Sequence, residues 1–324
     1  MSYADQVFIR TVTDILENGT STVGQKVRPH WPDGTAAYTI KQFGVVNRYD
    51  LSEEFPIVTL RKTPIKSATD EMLWIWQKKS NNIHDLGSHV WDEWADETGS
   101  IGKAYGYQMA KKHPYRDVKE EGLAVAFPAQ DGYGLSEDGL SWKREDRVAA
   151  VRETAEDLWK MDQVDKVIYD LKNTPYSRRI MTTMWDPEDL HDMHLEPCAY
   201  SMTFNVTQKP GHEKMTLNAV LHQRSQDVLA AMAWNICQYA VLIHMIAQVC
   251  DMEPGEFVHL QVDCHCYDRH QEALRELIRR EPKPAPQFRL NPDIHDFYRF
   301  TKNDVELIGY EVAGEQIRNI EVAI

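Results

Sequence analysis

The 324-residue sequence predicts an α+β fold in one large domain, a mixed β-sheet flanked by helices with a long buried helix at its centre. Three observations lead there. Apolar residues recur at helical spacing in the first half of the chain, they switch to alternation around residues 200–221, and residues 228–250 include no charged side chain. Residues three or four apart share a helix face and alternate residues share a strand face, so a chain using both periods without an internal repeat layers helices on a sheet.

Val7, Phe8, Val12, Ile15 and Leu16 lie at helical spacing and stop at Asn18-Gly19, predicting an amphipathic helix with a glycine end. Pro29, Pro32 and Gly34 mark a loop. Residues 64–79 predict a second helix, with Glu71 set among Ala68, Met72 and Trp76, company in which a carboxylate needs an explanation. Residues 113–145, rich in charge, Gly and Pro, predict a variable surface excursion rather than a linker. Val164, Val167, Ile168 and Leu171 mark a helix ending at Asn173-Thr174-Pro175.

Tyr200, Met202, Phe204 and Val206, then Met215, Leu217, Ala219 and Leu221, alternate with mostly polar residues and predict two strands joined by a hairpin containing Pro210-Gly211. The uncharged run 228–250 is long enough to raise the question of a membrane span. Asn235, Gln238, His244 and Gln248 are scattered through it, no basic flank follows and no second span exists, so a buried core helix is expected. A strand over 257–263 and a helix over 269–280, closed by Pro282, Pro284 and Pro286, complete the pattern.

A formal net charge of −14 disfavours nucleic acid or an anionic membrane as partner, and an anionic small substrate would need a local arginine cluster. The five cysteines, Cys198, Cys237, Cys250, Cys264 and Cys266, are odd in number and confined to one half of a long chain, which is not a disulfide framework. No basic region followed by an apolar core opens the sequence, so a reduced, cytoplasmic protein is expected, with the sequons at Asn18 and Asn205 unglycosylated.

Cys198 follows Pro197 just ahead of a strand-like run, and Gln223-Arg224-Ser225-Gln226-Asp227 comes about twenty-five residues later. A thiol becomes a nucleophile where a cation favours its thiolate, which makes Cys198 a candidate and Arg224 its candidate partner. A lone cysteine beside apolar residues is more often inert and buried, so Cys198 needs support from elsewhere. Ser177-Arg178-Arg179 sits at an element boundary and, with Arg224, could surround a phosphate; a solvated basic pair is the plainer alternative. Asp263-Cys264-His265-Cys266-Tyr267 lacks the second ligand pair that structural zinc wants, so no metal is expected. Asp263, His265 and Tyr267 form a polar row that could hydrogen-bond a sugar or base, or simply a satisfied strand end. Gly99-Ser100-Ile101-Gly102-Lys103-Ala104 lacks the spacing of a phosphate loop.

Taken together, the residues resemble the thymidylate synthase family over nearly the whole chain, residues 1–324. The resemblance rests on Phe55-Pro56-Ile57-Val58-Thr59, Glu71-Met72-Leu73-Trp74, Trp91-Asp92-Glu93-Trp94-Ala95-Asp96, Tyr105-Gly106, Ser177-Arg178-Arg179, Pro197-Cys198, the motif through Asp227, Trp234-Asn235-Ile236, residues 263–267 and the terminal Val322-Ala323-Ile324. It implies reductive methylation of dUMP to dTMP, with 5,10-methylenetetrahydrofolate giving a one-carbon unit and a hydride. Cys198 would attack uracil C6, Arg224 would lower its pKa and hold the phosphate, and Gln223 and Ser225 would join Arg224 at the nucleotide. Asn235 would read the uracil edge, and His265 and Tyr267 would hold the ribose hydroxyl. Asp227 would bind the pterin, Glu71 would organise proton-carrying waters, and Tyr105 would assist loss of the C5 proton. Trp91 and Trp94 would pack on the folate side while Ile324 closes over the site. Arg178 and Arg179 would reach the phosphate of a neighbouring subunit in a homodimer.

The chain also departs from the family pattern. Ala199 replaces a frequent histidine. Ala230, Ala231 and Ala233 replace a Leu-Gly-x-Pro segment, Trp234 a phenylalanine, Thr203 a glutamine, and Gln261-Val262 a glycine pair. An alanine methyl where glycine approaches the ligands would crowd them, so the folate pocket is where change is expected. The alternatives are a dUMP hydroxymethylase, in which water replaces hydride, and a non-catalytic nucleotide- or RNA-binding homologue.

Overall fold

Six strands form the main sheet: β1 (Thr20–Ser21), β2 (Thr39–Asp50), β3 (Met181–Thr183), β4 (Ala199–Thr207), β5 (Thr216–Asp227) and β6 (Glu253–Tyr267), in the spatial order β1-β2-β6-β5-β4-β3. The computed structural model describes residues 1–324 except Lys209, Arg318 and Asn319. Every pairing is antiparallel except β5 with β6, which run parallel, so the sheet is mixed. Four long helices accompany it: α1 (Tyr3–Asn18), α2 (Ile65–Trp76), α3 (Gln163–Asn173) and α4 (Met232–Val249). The parallel pair exists because α4 carries the chain back from the end of β5 to the start of β6, the crossover that parallel neighbours require.

α4 is the uncharged run, buried nearly all round as a helix apolar on every side must be. It begins at Met232 rather than 228 because the Asp227 carboxylate accepts the N–H groups of Leu229 (2.8 Å) and Ala230 (3.1 Å) and draws them into a turn. α2 packs against α4 and buries Trp74, Trp76 and Glu71. α1 starts on the Ser2 hydroxyl, which accepts the Asp5 N–H. Its terminal Gly19 is in extended conformation (φ −70°), not left-handed; glycine is needed there for space, since a Cβ would sit 2.3 Å from the Ile15 carbonyl oxygen.

Residues 113–145 are folded as part of a larger unit that runs on to residue 161, a second, five-stranded antiparallel sheet. Leu123, Tyr133, Trp142 and Trp159 join the common core, and two of the unit's arginines are paired beyond it, Arg147 with Asp165 at 2.5 Å and Arg144 with Asp296. β6 is longer than expected at both ends because β2 and β5 flank it out to Tyr267 and His265, so Asp263, His265 and Tyr267 are strand residues. The helix expected over 269–280 is only Gln271–Leu277, preceded by a 3-10 turn at Asp268–His270. Among the described residues no helix is long and apolar enough to cross a membrane.

Candidate active site

Cys198 stands one residue before β4, and the β4–β5 ladder extends to it: the Arg224 N–H donates to the Cys198 carbonyl at 2.9 Å. The antiparallel hairpin therefore brings a cysteine and an arginine 26 positions apart side by side. The guanidinium is held by the Glu196 carbonyl (2.7 Å) and the Pro197 carbonyl (3.1 Å), lies over the Trp185 ring, and places Nη2 3.8 Å from the Cys198 Sγ. Of the five cysteines, only Cys198 is partly exposed. Burial pushes its pKa up, with Arg224, a hydrogen bond with Tyr105 and the charge of Arg28 pulling the other way.

The Tyr105 hydroxyl accepts the Cys198 N–H at 3.0 Å, and burial holds its own pKa well above the usual phenol value. Its backbone lies at φ 45°, strained by on the order of 1–3 kcal/mol. The next residue must be glycine, because a Cβ on Gly106 would meet the Ser80 carbonyl oxygen at 2.0 Å. Strain of this kind is kept where packing on both sides imposes it, here the Trp91 ring 4.8 Å from that of Tyr105.

Asn235 occupies the first turn of α4, facing the end of β5. Its Oδ1 accepts from Gln223 Nε2 (3.2 Å), and its Nδ2 donates to Gln238 Oε1 (3.1 Å). Gln223 is itself buried, with Oε1 receiving the Nε2–H of His259 at 2.7 Å. Burial pushes that imidazole down to about 3, so it is neutral and a fixed donor. Gln223 thus lies behind Asn235 and orients it. His265 is oriented in the same manner by Asp263 (2.8 Å), which also pairs with Lys41 (2.6 Å). The Tyr267 ring packs edge-on against His265, Trp31 and His270, and its phenol, pushed up to about 12 mainly by burial, lies within the fields of Asp227, Arg28 and Cys198. Asp227 spends one oxygen on the turn before α4, while the other lies 3.6 Å from His270 Nδ1. Ser225 offers its carbonyl to Gln223 at 3.0 Å.

Glu71 supplies a second buried centre. Its Oε1 accepts the Trp91 indole N–H at 3.0 Å and its Oε2 the Trp234 indole N–H at 2.7 Å. Burial pushes its pKa up, and hydrogen bonds from Trp91, Trp234 and Gln238 oppose the shift. The Trp94 ring stands 5.6 Å from that of Trp91. Among the described residues no group of histidine, cysteine and carboxylate side chains could hold a metal ion.

A thiol beside a held guanidinium and an amide oriented from behind lie at one end of β4 and β5, and Tyr239 lies within the fields of both that thiol and the buried Glu71 carboxylate. A family model described as thymidylate synthase matches residues 6–324. The chain belongs to the thymidylate synthase family. The thymidylate synthase of Bacillus licheniformis is 37% identical over 328 residues, covering all of both chains, and that of Bacillus phage phi3T is 36% identical over 315 residues, 96% of each. Among solved structures, the thermostable thymidylate synthase A from Bacillus subtilis matches with TM-score 0.79 at 35% identity over the whole of both chains. Membership makes this protein an enzyme of the methyltransferase class.

Arg178, Arg179 and Ile324, also expected at the site, lie apart from the pair Cys198 and Arg224 in chain order. Arg178 and Arg179 are exposed just ahead of β3, and among the described residues neither guanidinium has a hydrogen-bond or ion-pair partner. Ile324 exchanges backbone hydrogen bonds with His30 (2.8 and 3.0 Å), beside the Trp31 that packs on Tyr267, while Arg269 ties Glu321 to Asp33. The alanines after Asp227 need no glycine conformation: no residue from 228 to 235 has a positive φ. Gln261 is buried beside Cys264, and Thr203 pairs with His222 across β4 and β5. Sequence reasoning missed Arg28, His259 and Gln238. Arg28 sits in a turn-rich loop without periodicity, and the other two look like ordinary core positions until β6 and α4 are packed around Gln223 and Asn235.

Proposed function

We infer that this protein is a thymidylate synthase that methylates dUMP at C5 with 5,10-methylenetetrahydrofolate. The observation that carries the reading is the Cys198 thiol 3.8 Å from the fixed Arg224 guanidinium, on the same sheet end as Asn235, His265 and Tyr267. Cys198 as thiolate adds to uracil C6, and the electron pair moves through C5 toward O4, making C5 nucleophilic. Asn235, with Oδ1 accepting from N3–H and Nδ2 donating to O4, selects uracil over cytosine, whose edge has the reverse polarity. Arg224 and Arg28 meet the phosphate, which explains how a protein of net charge −14 binds an anion.

The folate side fits the residues present: Trp91 and Trp94 offer an aromatic wall, and Asp227 keeps one carboxylate oxygen outside the turn hydrogen bonds. When bound, the folate supplies the one-carbon unit and the hydride. Tyr105 and Glu71, the latter through water, move the C5 proton, and release of Cys198 restores the ring double bond. Incubation with dUMP and methylenetetrahydrofolate should give dTMP and dihydrofolate by mass; 5-hydroxymethyl-dUMP with tetrahydrofolate would overturn this reading.

A homodimer completes the site. Phe43 (87% exposed), Val46, Met181 and Val262 are apolar side chains bare on the main sheet, and Arg178 and Arg179 adjoin Met181 at its edge. A second copy on this face covers them and points its exposed arginines at the neighbouring phosphate. Sedimentation should give twice the chain mass. Mixing Arg178→Glu with Cys198→Ala protein, once exchange is shown, should recover some activity, and none would exclude a shared site. The five unpaired thiols suit a reducing cytoplasm.

A further inference from the structure

Three elements meet at Glu71: α2 carries it, the segment after the 3-10 turn Ile83–Asp85 brings Trp91, and the first turn of α4 brings Trp234. We propose that Trp234 is a positioning residue for Glu71, closing with Trp91 a two-indole clamp in which each ring N–H donates to a different oxygen of the carboxylate. The proposal deepens the methyl-transfer reading of the site and rests on it for the importance of Glu71, though not for the clamp itself.

A carboxylate held at one oxygen can still swing about its last bond, whereas donors on both oxygens fix the plane and leave the remaining lone pairs pointing in set directions. Phenylalanine, which the family pattern has at this position, would fill most of the same space and donate nothing. The other groups facing Glu71 include one further neutral donor, the Gln238 amide, whose oxygen is taken by Asn235. Gln238 and Tyr239 come from α4, and the Tyr239 phenol is itself raised by burial and by the charges of Glu71 and Cys198. Beyond it Tyr105 feels Cys198, Tyr239 and Arg224. On α2 the adjacent Asp70 is committed to Lys302 (3.1 Å) and the Gly87 N–H (3.0 Å). Among the described residues no cation pairs with Glu71, so neutral donors alone sustain its ionised form against burial.

The test is Trp234→Phe, together with benzothienylalanine at position 234, an isostere with sulfur in place of the indole N–H. In both, the pH–kcat limb set by Glu71 should move up by about one pH unit, because a hydrogen bond to the charged form is lost. In parallel, the carboxyl infrared band present in the parent enzyme and absent from Glu71→Gln should titrate at correspondingly higher pH. The infrared titration needs no turnover. If the parent enzyme makes no dTMP, the functional reading fails while the infrared midpoint still decides the clamp. Midpoints unchanged in the benzothienyl enzyme, whatever happens to kcat or melting temperature, would reduce Trp234 to packing and overturn the proposal.

Discussion

Partial burial raises the proton affinity of Cys198, and fuller burial that of Glu71. The groups that oppose this differ. Beside the thiol they are mainly cationic, Arg224 with the field of Arg28; beside the carboxyl they are neutral, two indoles and Gln238. On the proposed function, the nucleophile can use charge, because the same arginines would serve a substrate phosphate. A group that must give and take a proton near neutral pH would be locked ionised by an adjacent cation, and neutral donors orient it with a smaller effect on its pKa.

Removing the thiol breaks the comparison most severely. Cys198→Ala should lose turnover by on the order of 10⁴-fold or more, and steady-state assays retaining a tenth of the activity would remove Cys198 from the nucleophile's role. Asn235→Asp comes next: a protonated carboxyl can present the opposite polarity, so the preference for dUMP over dCMP should fall by about 10²-fold or more, read as the ratio of kcat/KM values. A ratio unchanged within threefold would place uracil recognition elsewhere.

The pH dependence of the thiol sharpens the contrast. Because its folded-state pKa lies above the ordinary thiol value, Cys198 is largely protonated at neutral pH. Iodoacetamide should therefore react faster as pH rises through and beyond about 8.5. Arg224→Gln removes the strongest opposing charge, so the midpoint should rise further and the reaction slow at any fixed pH below it; a falling midpoint would reverse the assigned electrostatics. The smallest effect is expected at His259→Leu, which strips the donor from Gln223 Oε1 behind Asn235. KM for dUMP should rise about tenfold or less with kcat little changed, and a loss confined to kcat would contradict a role in orienting the base reader.

Much of the framework was legible in the residues because each element obeys one strong local rule. The 3.6-residue spacing in α1, the alternation in β4 and β5 and the uncharged α4 need no knowledge of their neighbours. Where sequence reading fell short, a distant partner had decided the outcome. Residues 113–145 read as a variable surface excursion because charge, Gly and Pro are plentiful, yet Asp296 and Asp165 lie outside the segment and pair with its Arg144 and the nearby Arg147. The tail of β6 looks like a strand end until β2 flanks it to Tyr267.

The same division runs through the site. Cys198 and Arg224 could be singled out from residue type and spacing, and Asn235 through the family resemblance, because the chemistry proposed for them tolerates few other side chains. Their working states could not, since a pKa is set by what surrounds a group in space. Trp234 makes the point: read in the chain it is a departure beside an asparagine, and read in the fold its indole lies 2.7 Å from a carboxylate buried between two indoles. Chain order fixes which groups are available, and only the packing of α2 on α4 and of β5 beside β6 decides which of them meet.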